Sequence, residues 1–120
     1  PLPLRDASVD VFSGNLLCNV NHYPGLLREV CRCLKPGGRL AIIECFFEKG
    51  SATAEFLTQQ QAIFSSLETY VNFCESMGLE YLGTALLRET TGKMDPGDLL
   101  PVAPEDRSLT RTVYFQKTQR

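Results

Sequence analysis

The stretch that decides the fold is residues 33–44, CLKPGGRLAIIE. Lys35-Pro36-Gly37-Gly38 places proline, whose φ is held near about −65°, before glycines that accept positive φ, which predicts a type II turn. Leu40 to Ile43 then form an unbroken apolar run. Such a run predicts a strand over 39–45 that is covered on both faces, as in a parallel sheet.

Two further elements are predicted before this turn. Residues 8–13 are β-branched and aromatic, and they predict a strand. From Pro24 to Leu34 the apolar residues recur at helical spacing, and Pro24 suits a first helical turn. Strand, helix and buried strand form a right-handed βαβ unit with both carboxyl strand ends at one edge, where open α/β sheets bind ligands.

The remainder predicts two helices and two strands. A helix is expected over 52–64, and residues 65–68, SSLE, have the spacing of a capping box that begins another. Strands are expected over 81–87 and 112–116. The linker over 88–107 is long for a compact domain, which predicts either a functional loop or a disordered one.

Composition bounds the class of protein. The 120 residues fit one domain, and 43% hydrophobic with 22% charged residues is ordinary for globular proteins. A net charge of −2 without long like-charge blocks gives no attraction for nucleic acid or anionic lipid. No apolar run approaches the roughly 18–20 residues of a membrane span, and we expect a cytoplasmic protein.

Cysteine usage and the first residue add two expectations. Five cysteines at irregular spacing fit reduced thiols better than a disulfide framework. Cys31 and Cys33 lie on different faces of the predicted helix, and no second pair or histidine stands at zinc spacing, so no metal site is expected. The chain begins with Pro1 rather than methionine. We therefore expect a piece of a longer protein.

Three stretches share their order and spacing with a known family. Residues 2–11 carry a leucine-proline lead, an acidic residue and S-x-D-V, residues 17–20 follow, and residues 27–40 read L-R-E-x-x-R-x-L-K-P-G-G-x-L. Together they resemble the C-terminal half of class I S-adenosylmethionine-dependent methyltransferases, most closely the small-molecule type with the L-K-P-G-G turn.

The resemblance implies an α/β, Rossmann-like methyltransferase fold. Its parallel strands are followed by a C-terminal antiparallel hairpin, with the last strand inserted beside residues 40–45 and helices on the faces. The family's first strand, Gly-rich loop and ribose-binding acidic residue lie upstream of such a lead. We therefore expect residues 1–120 to form a single domain that is the C-terminal part of a methyltransferase domain, without the N-terminal cofactor-binding half.

The resemblance also implies where S-adenosylmethionine would bind in the intact enzyme. Ser13, Gly14, Asn15 and Leu16 match the residues that line the methionine side of the cofactor cleft. Gly14 would let the backbone approach a ligand closely, and Asn15 can hydrogen-bond it. The alternative for this segment is an ordinary strand-to-helix turn rich in turn-forming residues.

Substrate contacts are expected just after this segment. Cys18 and Asn19 fall where the family often has a His-His pair, and losing both imidazoles removes the obvious general base. His22, the only histidine, lies downstream and within reach of the same edge. The alternative is that all three are polar or structural residues of a loop and helix start.

Further substrate contacts are expected at the end of the buried strand. A carboxylate at Glu44 can orient a substrate or accept its proton, and Phe46 and Phe47 can form an apolar wall. The alternative is a strand-end charge in solvent beside core aromatics. No catalytic residue is assigned, since methyl transfer from a sulfonium is an in-line displacement that mainly needs positioning and exclusion of water.

Two functions stay open at this point. The first is a methyltransferase that acts on a small molecule, in which this chain alone is inactive. The second is a non-catalytic methyltransferase-like interaction or scaffold domain. An exposed sheet edge also predicts self-association of the isolated chain.

Overall fold

The computed structural model describes residues 2–15, 23–60, 62, 65–92 and 102–118. Within those ranges the chain forms three helices and four strands. In chain order they are β1 (Val9–Asn15), α1 (Tyr23–Cys33), β2 (Leu34–Phe47), α2 (Ala52–Gln59), α3 (Leu67–Ser76), β3 (Leu79–Thr91) and β4 (Arg107–Lys117). The final two strands are longer than predicted, because two register shifts let β3 stay paired with β4 along its length.

The sheet has the topology that the resemblance implies. Its strand order is β1-β2-β4-β3. β1 and β2 are parallel, whereas β4 runs antiparallel to both β2 and β3. The C-terminal strand is therefore inserted beside β2, and the α/β, Rossmann-like fold is confirmed. The carboxyl ends of β1 and β2 lie at the same edge of the sheet.

The turn over 35–38 lies inside the β1–β2 ladder rather than before it. Leu34 and Arg39 both pair with β1, so the four intervening residues bulge out opposite Asp10. Gly37 has φ 80°, the positive value that the turn prediction requires. The strand consequently begins at Leu34, whereas the apolar run predicted a start at residue 39.

Gly38 gives a testable consequence of this bulge. A Cβ at Gly38 would lie 2.8 Å from the carbonyl oxygen of Lys35 and 3.1 Å from that of Asp10. Both contacts are backbone atoms, which cannot rotate away. We expect Gly38→Ala to lower the free energy of unfolding by roughly 2–3 kcal/mol in urea denaturation.

Gly50→Ala is the matched control for this steric effect. Gly50 has φ 88°, but a Cβ there would meet nothing within 4 Å. The control therefore isolates backbone strain, for which we expect a loss of about 1 kcal/mol. Equal losses in the two variants would contradict the steric explanation.

The main core lies between one face of the sheet and helices α1 and α3. Tyr70 of α3 is fully buried, and its ring centroid lies 5.2 Å from that of Phe46 and 6.2 Å from that of Phe115. The fully or almost fully buried aliphatic side chains of this core are Leu27, Val30, Leu34, Leu40, Ile42, Leu79 and Val113.

The opposite face of the sheet is less covered than the sequence predicts. Along β2, Leu40 and Ile42 are buried, whereas Ala41 and Ile43 between them are only half-buried. The prediction of cover on both faces is wrong for the part of the chain that the structure describes, because α1 and α3 both pack on the Leu40 side. Because residues 40–43 are all apolar, the sequence does not show which of them face the core.

Both helices after β2 differ from their predicted bounds. The helix expected over 52–64 ends at Gln59. α3 begins one residue later than the capping-box prediction implies, because Ser66 is the N-cap and its Oγ accepts a hydrogen bond from the Thr69 amide at 3.3 Å. Glu68 therefore lies one position before the place that closes a capping box.

The four cysteines in the described ranges, Cys31, Cys33, Cys45 and Cys74, are free and buried. Burial raises the pKa of the Cys74 thiol to about 12. The helices of the described residues are all too short or too polar to cross a membrane. In the same ranges, no His, Cys, Asp and Glu side chains are grouped so as to hold a metal ion.

Candidate functional site

The carboxyl ends of β1 and β2 lie side by side. Ser13–Asn15 pairs with residues 41–43, so the end of β1 lies next to Glu44. Ser13 and Asn15 are exposed, and because strand residues alternate they share the face of β1 that points away from the core. The structure thus brings together two segments that the sequence predicts for the site. Leu16, Cys18, Asn19 and His22 lie outside the described residues.

Glu44 is fully buried, with 0% of its surface exposed. The Tyr23 hydroxyl donates to Glu44 Oε2 at 2.8 Å, and the Cys45 amide donates to Glu44 Oε1 at 3.1 Å. The alternative of a strand-end charge in solvent is therefore wrong. β2 continues to Phe47, and alternation turns Glu44 toward the core.

A second tyrosine extends this contact into a chain of hydrogen bonds. The hydroxyl oxygens of Tyr23 and Tyr70 lie 2.8 Å apart. Because the single Tyr23 proton is donated to Glu44, its oxygen accepts from Tyr70. This series of hydrogen bonds joins the first residue of α1, the middle of α3 and the end of β2. We call Glu44, Tyr23 and Tyr70 the buried polar chain.

Tyr23 and Tyr70 were not assigned to the site from the sequence. Tyr70 lies on the apolar stripe of its helix, and Tyr23 is the first residue of α1. Buried tyrosine hydroxyls need hydrogen-bond partners. This requirement indicates that a buried tyrosine has a hydrogen-bond partner, but it does not identify which acidic side chain that partner is.

The ionisation of Tyr23 provides a pH-dependent prediction. Burial, followed by the neighbouring Tyr70 and Glu44, raises the pKa of Tyr23 far above its usual value. Above about pH 10 this group loses its proton in the unfolded chain but keeps it in the folded protein, so the contribution of Tyr23 to the free energy of unfolding is constant below that pH and falls above it. This group contributes a slope of at most about 1.4 kcal/mol per pH unit.

Tyr23→Phe is expected to make this fall with pH shallower, because the variant lacks the titrating hydroxyl. Urea denaturation at about pH 8, 10 and 11 measures the slope. Tyr114→Phe is the control, since Tyr114 is 42% exposed. If Tyr23→Phe and the unmodified protein lose stability equally between about pH 10 and 11, the raised pKa is contradicted.

Phe46 and Phe47 point to opposite sides of β2. Phe46 is 1% exposed and packs on Tyr70 in the main core. A substrate contact by Phe46 stays a prediction, which the burial of its ring beneath the sheet does not favour. Phe47 is buried in a second cluster with Ala54 and Leu57 of α2. A substrate contact by Phe47 stays a prediction.

A second polar contact joins α2 to the loop before β4. Asp106 Oδ2 accepts from the Thr53 amide at 2.7 Å and from Thr53 Oγ1 at 2.6 Å. Thr53 Oγ1 in turn accepts from the Ala103 amide at 3.0 Å. Thr53 and Asp106 are 1% and 8% exposed. These hydrogen bonds to α2 therefore hold residues 102–106 of the long linker near the carboxyl end of β2.

The chain is similar to known proteins both in sequence and in structure. Residues 1–42 match a family model described as a methyltransferase domain. No curated protein sequence matches the chain. The chain is similar in structure to a candidate sarcosine dimethylglycine methyltransferase from Galdieria sulphuraria, at 18% identity and a TM-score of 0.67, over 98% of this chain and 56% of that chain.

Two other solved structures are similar to the chain. A candidate methyltransferase from Bacillus halodurans has 12% identity and a TM-score of 0.71, over 98% of this chain and 68% of that chain. A Haemonchus contortus phosphoethanolamine N-methyltransferase, solved with S-adenosylhomocysteine, has 15% identity and a TM-score of 0.60, over 97% of this chain and 35% of that chain.

The family-model match over residues 1–42 includes β1, α1 and the start of β2. The structural similarity extends over nearly all of this chain. This chain spans only 56% of the length of the Galdieria protein. The predicted resemblance is confirmed: residues 1–42 match a methyltransferase-domain model, and the chain has the Rossmann-like fold of the methyltransferase structures to which it is similar.

Proposed function

We propose that the chain supplies the C-terminal part of the catalytic domain of a methyltransferase that acts on a small molecule. The observation that carries the proposal is the position of Ser13–Asn15 beside the carboxyl end of β2, at the edge where open α/β sheets bind ligands. The methyltransferase-domain match includes Ser13–Asn15 and supports the same assignment. A single domain over 1–120 and a cytoplasmic location belong to this proposal.

The residues present fit the methionine end of S-adenosylmethionine. Ser13 and Asn15 offer an exposed hydroxyl and an exposed amide, which can both donate to a carboxylate and accept from an ammonium group. Leu16 belongs to the proposed site with them. When bound, the cofactor supplies an activated methyl group. A relative that was solved with S-adenosylhomocysteine supports this cofactor type.

The buried polar chain gives Glu44 a positioning role in the proposed site. Through Tyr23 it fixes the first residue of α1 against β2, and through Tyr70 it fixes both against α3. Positioning of this kind is what an in-line displacement needs from the protein. Contacts of Cys18, Asn19, His22 and Phe47 with a small-molecule substrate are part of the same proposal.

A methyltransferase-like interaction module is the second candidate. The sheet face opposite the core favours it, because Val11 and Tyr114 on that face are 66% and 42% exposed. Apolar side chains on an open sheet face provide a surface for a protein partner or a second copy of the chain. In this case the edge near Ser13 would bind no cofactor.

Nuclear magnetic resonance mapping of S-adenosylhomocysteine binding to the protein at its natural length tests the first candidate. Within residues 1–120 we expect the largest amide shifts at residues 13–15 and 44–47, and we expect at least about tenfold weaker binding in Asn15→Ala. Val11→Ala, an exposed residue of the same strand, is the matched control and should leave affinity unchanged. Shifts confined to other parts of the protein would contradict the proposed site.

A further inference from the structure

A cavity of about 320 Å³ lies beside the amino-terminal end of β2. The proposed methyltransferase site lies at the other, carboxyl-terminal end of the same strand. The cavity is lined by Arg28, Cys31, Arg32, Met77 and Lys117. α1 ends beside the start of β2 here, and the antiparallel β4 finishes at the same edge. Three of the lining residues are cationic and none is acidic. An anion is therefore the class of ligand that the lining favours.

Lys117 is fixed at the cavity by the end of α1. Its Nζ donates to the carbonyl oxygen of Cys31 at 2.6 Å and to that of Leu34 at 2.8 Å. Cys31 lies in the last turn of α1, where carbonyl groups have no partner within the helix, and Leu34 follows the helix as the first residue of β2. An ammonium group has three donors. Two are used by the described residues, so the third is available to a ligand.

Arg28 is held by an aromatic ring rather than by a carboxylate. Its guanidinium carbon lies 5.3 Å from the centroid of the Phe73 ring. Among the ion pairs of the described ranges, none includes Arg28. A guanidinium that is stacked on a ring keeps its edge donors free, and these donors match two oxygens of a phosphate.

Arg32 differs from these two cations. Its donors are directed to the carboxylates of Asp6 and Glu29 and to the carbonyl oxygens of Leu2 and Leu4. Those carboxylates hold the pKa of Arg32 above its usual value and balance its charge. Arg32 therefore forms a wall of the cavity, and two cations, Arg28 and Lys117, are left for a ligand.

We infer that this cavity binds a small molecule through a phosphate group. The guanidinium N–H groups of Arg28 and the third N–H group of Lys117 donate to the phosphate oxygens. The apolar side chains of Cys31 and Met77 contact the rest of the molecule. Two positive charges match a phosphate monoester, which carries about −1.5 to −2 charges at pH 7. The inference does not depend on methyl transfer, because the cavity and the proposed cofactor edge are at opposite ends of β2.

Titration with phenyl phosphate and, separately, with inorganic phosphate tests the inference by calorimetry and amide shifts. We expect saturable binding of phenyl phosphate with shifts at residues 28, 31 and 117. Inorganic phosphate should bind about tenfold more weakly, since it lacks an apolar body. Equal affinity for the two would overturn a phosphorylated small molecule as the ligand and identify a site for the free ion.

Arg28→Gln supplies the decisive variant. It removes a charge from an exposed side chain and should weaken phenyl phosphate binding at least about tenfold. Arg39→Gln, another exposed arginine near the same edge, is the matched control and should leave binding unchanged. Absence of binding at about 10 mM phenyl phosphate, or equal affinity in Arg28→Gln and the unmodified protein, would overturn the inference.

Discussion

Replacing Tyr70 by alanine is expected to lower the free energy of unfolding by about 3–5 kcal/mol. Tyr70 is fully buried and its ring packs between Phe46 and Phe115. Removing the ring leaves a cavity where α3 meets the sheet. It also removes the donor to the Tyr23 hydroxyl. A loss of this size is a large fraction of the stability of an ordinary domain.

Two further variants separate the causes of this loss. Tyr70→Phe keeps the ring and removes only the hydroxyl, so we expect a loss of about 1–2 kcal/mol. Tyr114→Ala removes a tyrosine that is 42% exposed and should cost less than about 1 kcal/mol. Urea denaturation measures all three variants. A Tyr70→Ala loss no larger than that of Tyr114→Ala would contradict the placement of Tyr70 in the core.

Replacing Asp106 by alanine is expected to lower the free energy of unfolding by about 2–3 kcal/mol. The carboxylate accepts two hydrogen bonds from Thr53, and both residues are buried. Alanine leaves the Thr53 amide and hydroxyl without this acceptor. The contact between α2 and residues 102–106 should open with it, and hydrogen exchange at residues 52–59 should become faster.

Asparagine at the same position refines the test. A single oxygen, Asp106 Oδ2, accepts both bonds, so an asparagine oxygen can take its place without the charge. Asp106→Asn should therefore lose only about 1 kcal/mol, and Glu105→Ala, at an exposed neighbour, should change little. Equal losses of unfolding free energy in Asp106→Ala and Glu105→Ala would contradict the proposed role of Asp106 in holding α2 against residues 102–106.

Local patterns in the sequence predicted most of the elements but not their pairing details. The proline and glycines of residues 35–38 predicted a turn with positive φ, and Gly37 has it. The insertion of β4 beside β2 came from the family resemblance, not from any local pattern. The bulge opposite Asp10 could not be predicted, since register depends on which residues of two strands meet in space.

The candidate site was predicted only in part for a related physical reason. Glu44 was identified from its position at the end of an apolar run, but the run did not show which face each residue occupies. The tyrosines that partner it come from α1 and α3, and Tyr23 and Tyr70 are 47 residues apart. The Thr53–Asp106 contact joins residues 53 apart. Such contacts between distant side chains leave no spacing signal in the sequence.

Calorimetric titration of S-adenosylhomocysteine into the protein at its natural length tests the central claim most directly. We predict saturable binding at one site per chain, weakened by Asn15→Ala and unaffected by Val11→Ala. No detectable heat at millimolar ligand would contradict the methyltransferase proposal and favour an interaction module that has kept the fold without the cofactor.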